Sequence, residues 1–274
     1  MRRSDAASCR RSRRGTSHVF FVLAELHPHR SQCWLTPKIE DPVQHAEEVA
    51  RVCAVYAQAA TLEGEGTHVM SSDEKTGIQA LERAAPTLAM KRGQHERREF
   101  EYIRHGTVCL IANVQVATGK VLAPTIGPTR TEEDFARHIE QTVATGEKAG
   151  GVFVVDNLTT HCSESLVRWI AKRESFDGDL GMKGHSGILK DVASRRAFLV
   201  EEAHRVRFVY TPKHCSWMNP IECWFSILVR RALRRGSFSS KEALATRIRD
   251  FIDTFNRLLA KPFRWTYSGR PLVV

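Results

Sequence analysis

Apolar positions along the 274-residue chain change period repeatedly, and each change marks an element. Val43, Ala46, Val49, Ala50, Cys53, Ala54 and Ala57 recur at helical spacing and predict a helix over Pro42–Thr61. From Thr67 the period shortens. Thr67–Ser72 reads as a short strand ending at Asp73, and Gly106–Val116 alternates and is rich in Val and Ile. Ala117-Thr118-Gly119 then turns the chain into Lys120–Ile126, which predicts a hairpin. Thr131–Glu147 is amphipathic, opened by Thr131 and Asp134 as a variant capping box, with Phe135, Ile139 and Val143 on one face. Gly151–Val155 is too apolar for a solvent-washed edge strand. Ser163–Lys172, Val206–Tyr210 and Pro220–Arg235 follow as helix, strand and helix, the last stopped by Gly236. Ser239, with Glu242, opens a final amphipathic helix to Leu259.

The order is strand, hairpin, helix, strand, helix, strand, helix. It predicts an α/β chain with a ribonuclease-H-like fold, a mixed central sheet flanked by helices. Glu174–Arg205 breaks the pattern, with Gly178, Gly181, Gly184 and Gly187 among several charges, and forms a Gly-rich insertion before the last catalytic helix. A lid, a DNA-contacting element, or a surface loop with one short helix over Lys190–Leu199 would each suit it. The organisation expected is a disordered basic tail and helical remnant at 1–26, a linker and helix at 27–66, and a catalytic domain at 67–274.

Charge changes the picture next. A formal net charge of +10 and a pI near 9.5 favour a polyanionic partner, most economically nucleic acid, although solvated Arg faces would give the same balance. Seven cysteines without a CxxC pair suit a reducing cytosol. His161-Cys162 and His214-Cys215 match no zinc spacing. No stretch approaches the roughly 20 apolar residues of a membrane-spanning helix, so no membrane partner is expected. The Arg-rich start followed by Val19–Ala24 is too short to be a signal peptide.

Three carboxylates carry the candidate chemistry: Asp73, Asp156 and Glu222. Two follow strands and the third falls in the first turn of a helix announced by Asn219-Pro220. Acids so placed can converge on a divalent cation, which takes oxygen ligands. Each also has a local explanation. Asn219 as N-cap would put Glu222 at the third helical position, where the helix dipole favours a carboxylate. Asp156-Asn157 could close a turn. Glu74 adjoins Asp73 but should point elsewhere in an extended chain. Arg230, Arg231, Arg234 and Arg235 crowd the far end of the Glu222 helix and would suit phosphate contacts.

Ser71-Ser72-Asp73-Glu74-Lys75-Thr76-Gly77, Val155-Asp156-Asn157-Leu158-Thr159-Thr160-His161 and Thr211–Glu222 resemble the three signature blocks of DDE transposases. The likeness is greatest to the bacterial insertion-sequence branch of the mariner superfamily, and runs from about His27 to the carboxyl terminus. It implies a transposase that cleaves DNA at transposon ends and transfers the strand. Asp73, Asp156 and Glu222 would be catalytic and would bind two Mg²⁺ or Mn²⁺ ions. Water, or later a 3′-hydroxyl, would attack a phosphodiester in line. Lys213 and His214 join the four arginines as expected DNA contacts, and His161 could touch phosphate or make a structural hydrogen bond. The resemblance also implies double-stranded DNA as partner, a homodimer holding two ends, and a bacterial cytoplasmic, nucleoid-associated location. Family members carry amino-terminal helix-turn-helix domains, for which Met1–Arg30 leaves no room. The interval from Asp156 to Glu222 is also longer than in compact members. The alternative function is a truncated, non-catalytic DNA-binding remnant.

Overall fold

The computed structural model describes residues 39, 41–146 and 149–267. The expected basic tail, helical remnant and most of the linker lie outside these residues. Asp41 caps helix α1 (Pro42–Ala57), its carboxylate accepting from Val43 and Gln44 N–H, and a short α2 (Ala59–Gly64) follows. Five strands form one mixed sheet in the order β3-β2-β1-β4-β5: β1 Thr67–Arg83, β2 Tyr102–Gln115, β3 Val121–Gly127, β4 Gly150–Val155 and β5 Val206–Tyr210. The first three are antiparallel neighbours, and β4 and β5 run parallel to β1. The architecture is the ribonuclease-H-like one expected from the element order.

Strand alternation sends successive side chains to opposite faces, and this sorts the core. Met70, Phe153, Val155, Phe208 and Tyr210 face α3 (Glu132–Ala144), α4 (Glu164–Arg173) and α5 (Val192–Leu199), around Phe135, Ile139, Leu166 and Ile170. Val69, Val152, Val154 and Val209 face α1 and the segment Phe263–Tyr267. Leu110, Ala112 and Val114 pack on the same side against α6 (Ile221–Leu228) and α7 (Lys241–Leu258). Each fully buried Leu, Ile or Phe contributes about 1.5–3 kcal/mol. The Thr131–Asp134 capping box forms as expected. Gly119 closes the β2–β3 turn with φ of +71°, and a Cβ there would meet Lys261 O at 1.9 Å.

Several expectations are corrected. β1 does not stop at Ser72 but continues to Arg83, 17 residues in all, so Asp73 lies inside it. The polar run Asp73–Gly77 hides this extension, and a register shift between Lys75 and Ile78 breaks its alternation. Beyond the shift, β1 and β2 continue as an arm whose Ile78, Ala80 and Val108 pack in the same cluster as α7. Helix 220–235 is α-helical only to Leu228, with a wider π turn at Val229–Leu233. Ser240, not Ser239, caps α7. In the Gly-rich segment one short helix forms, α5, preceded by turns in which Gly181, Gly184 and Gly187 adopt positive φ. Its Leu189 and Leu199 are buried, and Arg195 donates to Cys162 O and Leu189 O, which ties the segment to the turn Thr159–Cys162 after β4.

Candidate active site

Parallel pairing of β1 with β4 ends at Ser71 and Val154, and the chain leaves β4 at Asp156. Asp73, inside β1 two residues beyond that pairing, and Asp156, just past the end of β4, thus emerge side by side. Asp73 is 7% exposed, and its Oδ1 accepts the Glu74 N–H at 2.7 Å. Burial, followed by repulsion from Asp156 and Glu74, pushes its carboxyl up to about 7 against the N–H contact. Asp156 behaves oppositely. Burial alone would raise it, but the His161 hydrogen bond and charge hold it below the usual carboxylate range.

His161 is fully buried. Its Nδ1 stands 2.8 Å from Asp156 Oδ1, and its Nε2 stands 3.2 Å from both Glu74 oxygens. Burial disfavours a charged imidazole, yet the two carboxylates lift it to about 10, so it donates from both nitrogens as an imidazolium. Its ring lies 4.3 Å from that of Phe135, and Tyr210 O–H donates to its backbone carbonyl. His161 therefore makes the structural hydrogen bond rather than standing open to phosphate. Glu74 points to the opposite face from Asp73, as alternation requires, with its side chain 1% exposed. Of these partners, the buried Glu74–His161 pair is what sequence reasoning missed; its only signal was an acid and a histidine each adjoining a candidate ligand.

Glu222 is positioned differently. Asn219 does not cap α6. Fully buried, it donates from Nδ2 to Ser72 O at 3.0 Å and takes the Ser71 hydroxyl, while Ser71 Oγ accepts the Ile221 N–H at 2.9 Å. The start of α6 is therefore pinned to β1 at the two residues before Asp73. Pro220 precedes the helix, and Glu222 is its second residue, exposed. On the strand face shared by Ser71 and Asp73, Lys75 lies with its Nζ 5.9 Å from the Phe225 ring centre. Lys75, Glu222, Phe225, Ser226 and Arg230 line a groove of about 340 Å³.

The structure brings Asp73 and Asp156 together with Glu74 and His161, and leaves Glu222 on the groove beside them. Among the described residues no group of three or more His, Cys, Asp or Glu is arranged to hold a metal ion. Two observations nonetheless fit a divalent cation. Asp73 carries a carboxyl whose charge is disfavoured until a cation offsets it, and both contacts of Asp156 fall on Oδ1, so Oδ2 makes no hydrogen bond among the described residues. Lys213 and His214 are exposed in the loop after β5, with His214 at φ of +62°. Arg230, Arg231, Arg234 and Arg235 are exposed around the π turn, and Arg230 Nε donates to Ser226 O.

A model of the DDE superfamily endonuclease family matches residues 68–245, most of the described chain. The chain belongs to this family. The DDE match runs from the second residue of β1 through β5 and includes all three candidate acids. Among solved structures, the chain is similar to the Mos1 transposase paired-end complex with left transposon end, at 12% identity and a TM-score of 0.50. It is similar to the Mos1 mariner paired end complex with Mn at 12% and 0.51. In both, 90% of this chain aligns with 64% of the other, so the DDE chain spans less than two thirds of their length. The Mos1 strand transfer complex aligns at 14% identity and a TM-score of 0.50, over 86% of this chain and 62% of that one. At these identities the likeness carries the fold. No curated protein matches the chain. No helix among the described residues is long and apolar enough to cross a membrane.

Proposed function

We propose that this DDE endonuclease domain is the catalytic part of a transposase that cuts double-stranded DNA at transposon ends and joins the strand to a target. The observation that supports the reading is the tie between Asn219, Ser71 and Ser72, which fastens the start of the Glu222 helix to β1 at the two residues before Asp73. Asp73, Asp156 and Glu222 would hold Mg²⁺ or Mn²⁺, two ions in all. Such ions, when bound, supply an activated oxygen nucleophile and neutralise charge at the leaving oxygen.

The protein's own part is to hold and exclude. Asp73 keeps an electron-rich oxygen in a nearly dry setting. Asp156 is held ionised by His161. The half-buried Lys75 and the exposed Arg230, which line the groove with Glu222, offer cations to a phosphodiester entering it. Lys213, His214, Arg231, Arg234 and Arg235 extend the basic surface on which duplex DNA would lie. A homodimer would hold two transposon ends.

The test is nicking of supercoiled DNA with Mg²⁺. The parent chain should cut, and Asp156→Asn and Glu222→Gln should each lose at least about 10²–10³-fold in rate while still binding DNA. Variants that cut as well as the parent would end the metal-site reading. A parent that binds DNA and never cuts would favour the DNA-binding remnant.

A further inference from the structure

Asp156, unlike Asp73 and Glu222, lies outside any strand or helix. It follows the last residue of β4, and its side chain is 35% exposed, a setting in which a carboxylate samples several rotamers. Here it is gripped from one side. Leu158 N–H donates to Oδ1 at 2.9 Å, and His161 Nδ1 reaches the same oxygen at 2.8 Å. The imidazole cannot turn away, because Nε2 is held by both Glu74 oxygens, the ring packs against Phe135, and the backbone carbonyl is tied to Tyr210. Glu74 is in turn fixed by the strand, as the neighbour of Asp73. A rigid chain of contacts thus runs from one aspartate around the strand end to the other.

We propose that Glu74 and His161 are positioning residues, which hold Asp156 through Oδ1 and leave Oδ2 as its donor to a divalent cation. The inference rests on the reading that Asp156 binds such a cation, and adds how the chain prepares it. Ligand-orienting partners of this kind change metal affinity by about 10- to 100-fold when removed.

The experiment is titration of the full chain with Mn²⁺ alone, without DNA, followed by calorimetry, with a melting curve on each variant. His161→Gln should bind Mn²⁺ about 10- to 100-fold more weakly than the parent, and Glu74→Gln by a smaller factor. Because Glu74 acts through His161, the double variant should bind no more weakly than His161→Gln. A purely structural role would lower the melting temperature and leave the Mn²⁺ midpoint unmoved. If Asp156→Asn loses Mn²⁺ while a folded His161→Gln keeps the parent midpoint, the positioning role is overturned and the metal site stands. If Asp156→Asn binds as the parent does, the metal site falls and the positioning role with it. Should His161→Gln not fold, the near-isosteric Glu74→Gln decides: a parent-like midpoint overturns the proposal.

Discussion

The two faces of β1 treat neighbouring residues in opposite ways. On the α3–α4 face, Glu74 is enclosed with His161, and Ser72 joins Asn113 and Thr142 in a buried polar chain. On the α6 face, Asp73 is buried beside Asp156, and Lys75 lines a groove open to solvent. One strand thus divides its polar residues between a closed side that fixes geometry and an open side that can meet a substrate. Ser71, on the same face, is buried and spent on pinning α6.

The largest effect should come from breaking the closed face. Glu74→Leu leaves His161 Nε2 without its buried partner, and removing one partner of a buried pair should cost about 3–5 kcal/mol in urea unfolding. Lys75→Ala, one residue on and across the sheet, should change stability by less than about 0.5 kcal/mol. Equal costs would erase the distinction between the faces.

Asp73→Asn should have the opposite sign. The Asp73 carboxyl is raised from 3.8 to about 7, so in the unliganded fold stability is full below pH 3.8 and is lost as pH rises through 7. Asn removes that loss. At pH 8 the metal-free variant should gain on the order of 2–4 kcal/mol, since a tenfold change in proton affinity corresponds to about 1.4 kcal/mol. A destabilised variant would show that Asp73 is a structural acid.

Asn219→Ala leaves Ser71 and the Ser72 carbonyl short of a buried partner and should cost about 1–3 kcal/mol. It should also slow Mg²⁺-dependent nicking, whereas a variant with parent stability and rate would mean that the pin does not set Glu222.

The last effect is graded with pH. His138, buried on the closed face, has its imidazole pushed down to about 3 by desolvation. Its stabilisation is present above pH 6.5 and is lost as pH falls toward 3, at up to about 1.4 kcal/mol per pH unit. His138→Gln should flatten that slope in acid-unfolding curves between pH 6 and 4, and an unchanged slope would place the acid sensitivity elsewhere.

How much was legible depended on the range of the interaction. The Thr131–Asp134 box, the apolar β4 run and strand Val206–Tyr210 could be read directly, because caps and periods act over a few residues. β1 was read short because its polar centre looks like a turn, and only pairing with β2 shows that it continues. Asn219 was read as a cap by the same local logic, and its true partners lie 147 and 148 residues away.

The sequence by itself determined the order of elements and put Asp156 just past a strand and Glu222 at a helix start, through hydrophobic period, turn chemistry and helix dipole. It also carried the signature blocks by which the family is known. Only the tertiary structure decided that Glu74 and His161, 87 residues apart, form a buried pair, and that Asn219 fastens the Glu222 helix to β1. Those contacts depend on sheet register and on which face each side chain takes, and neither is fixed until the strands pair.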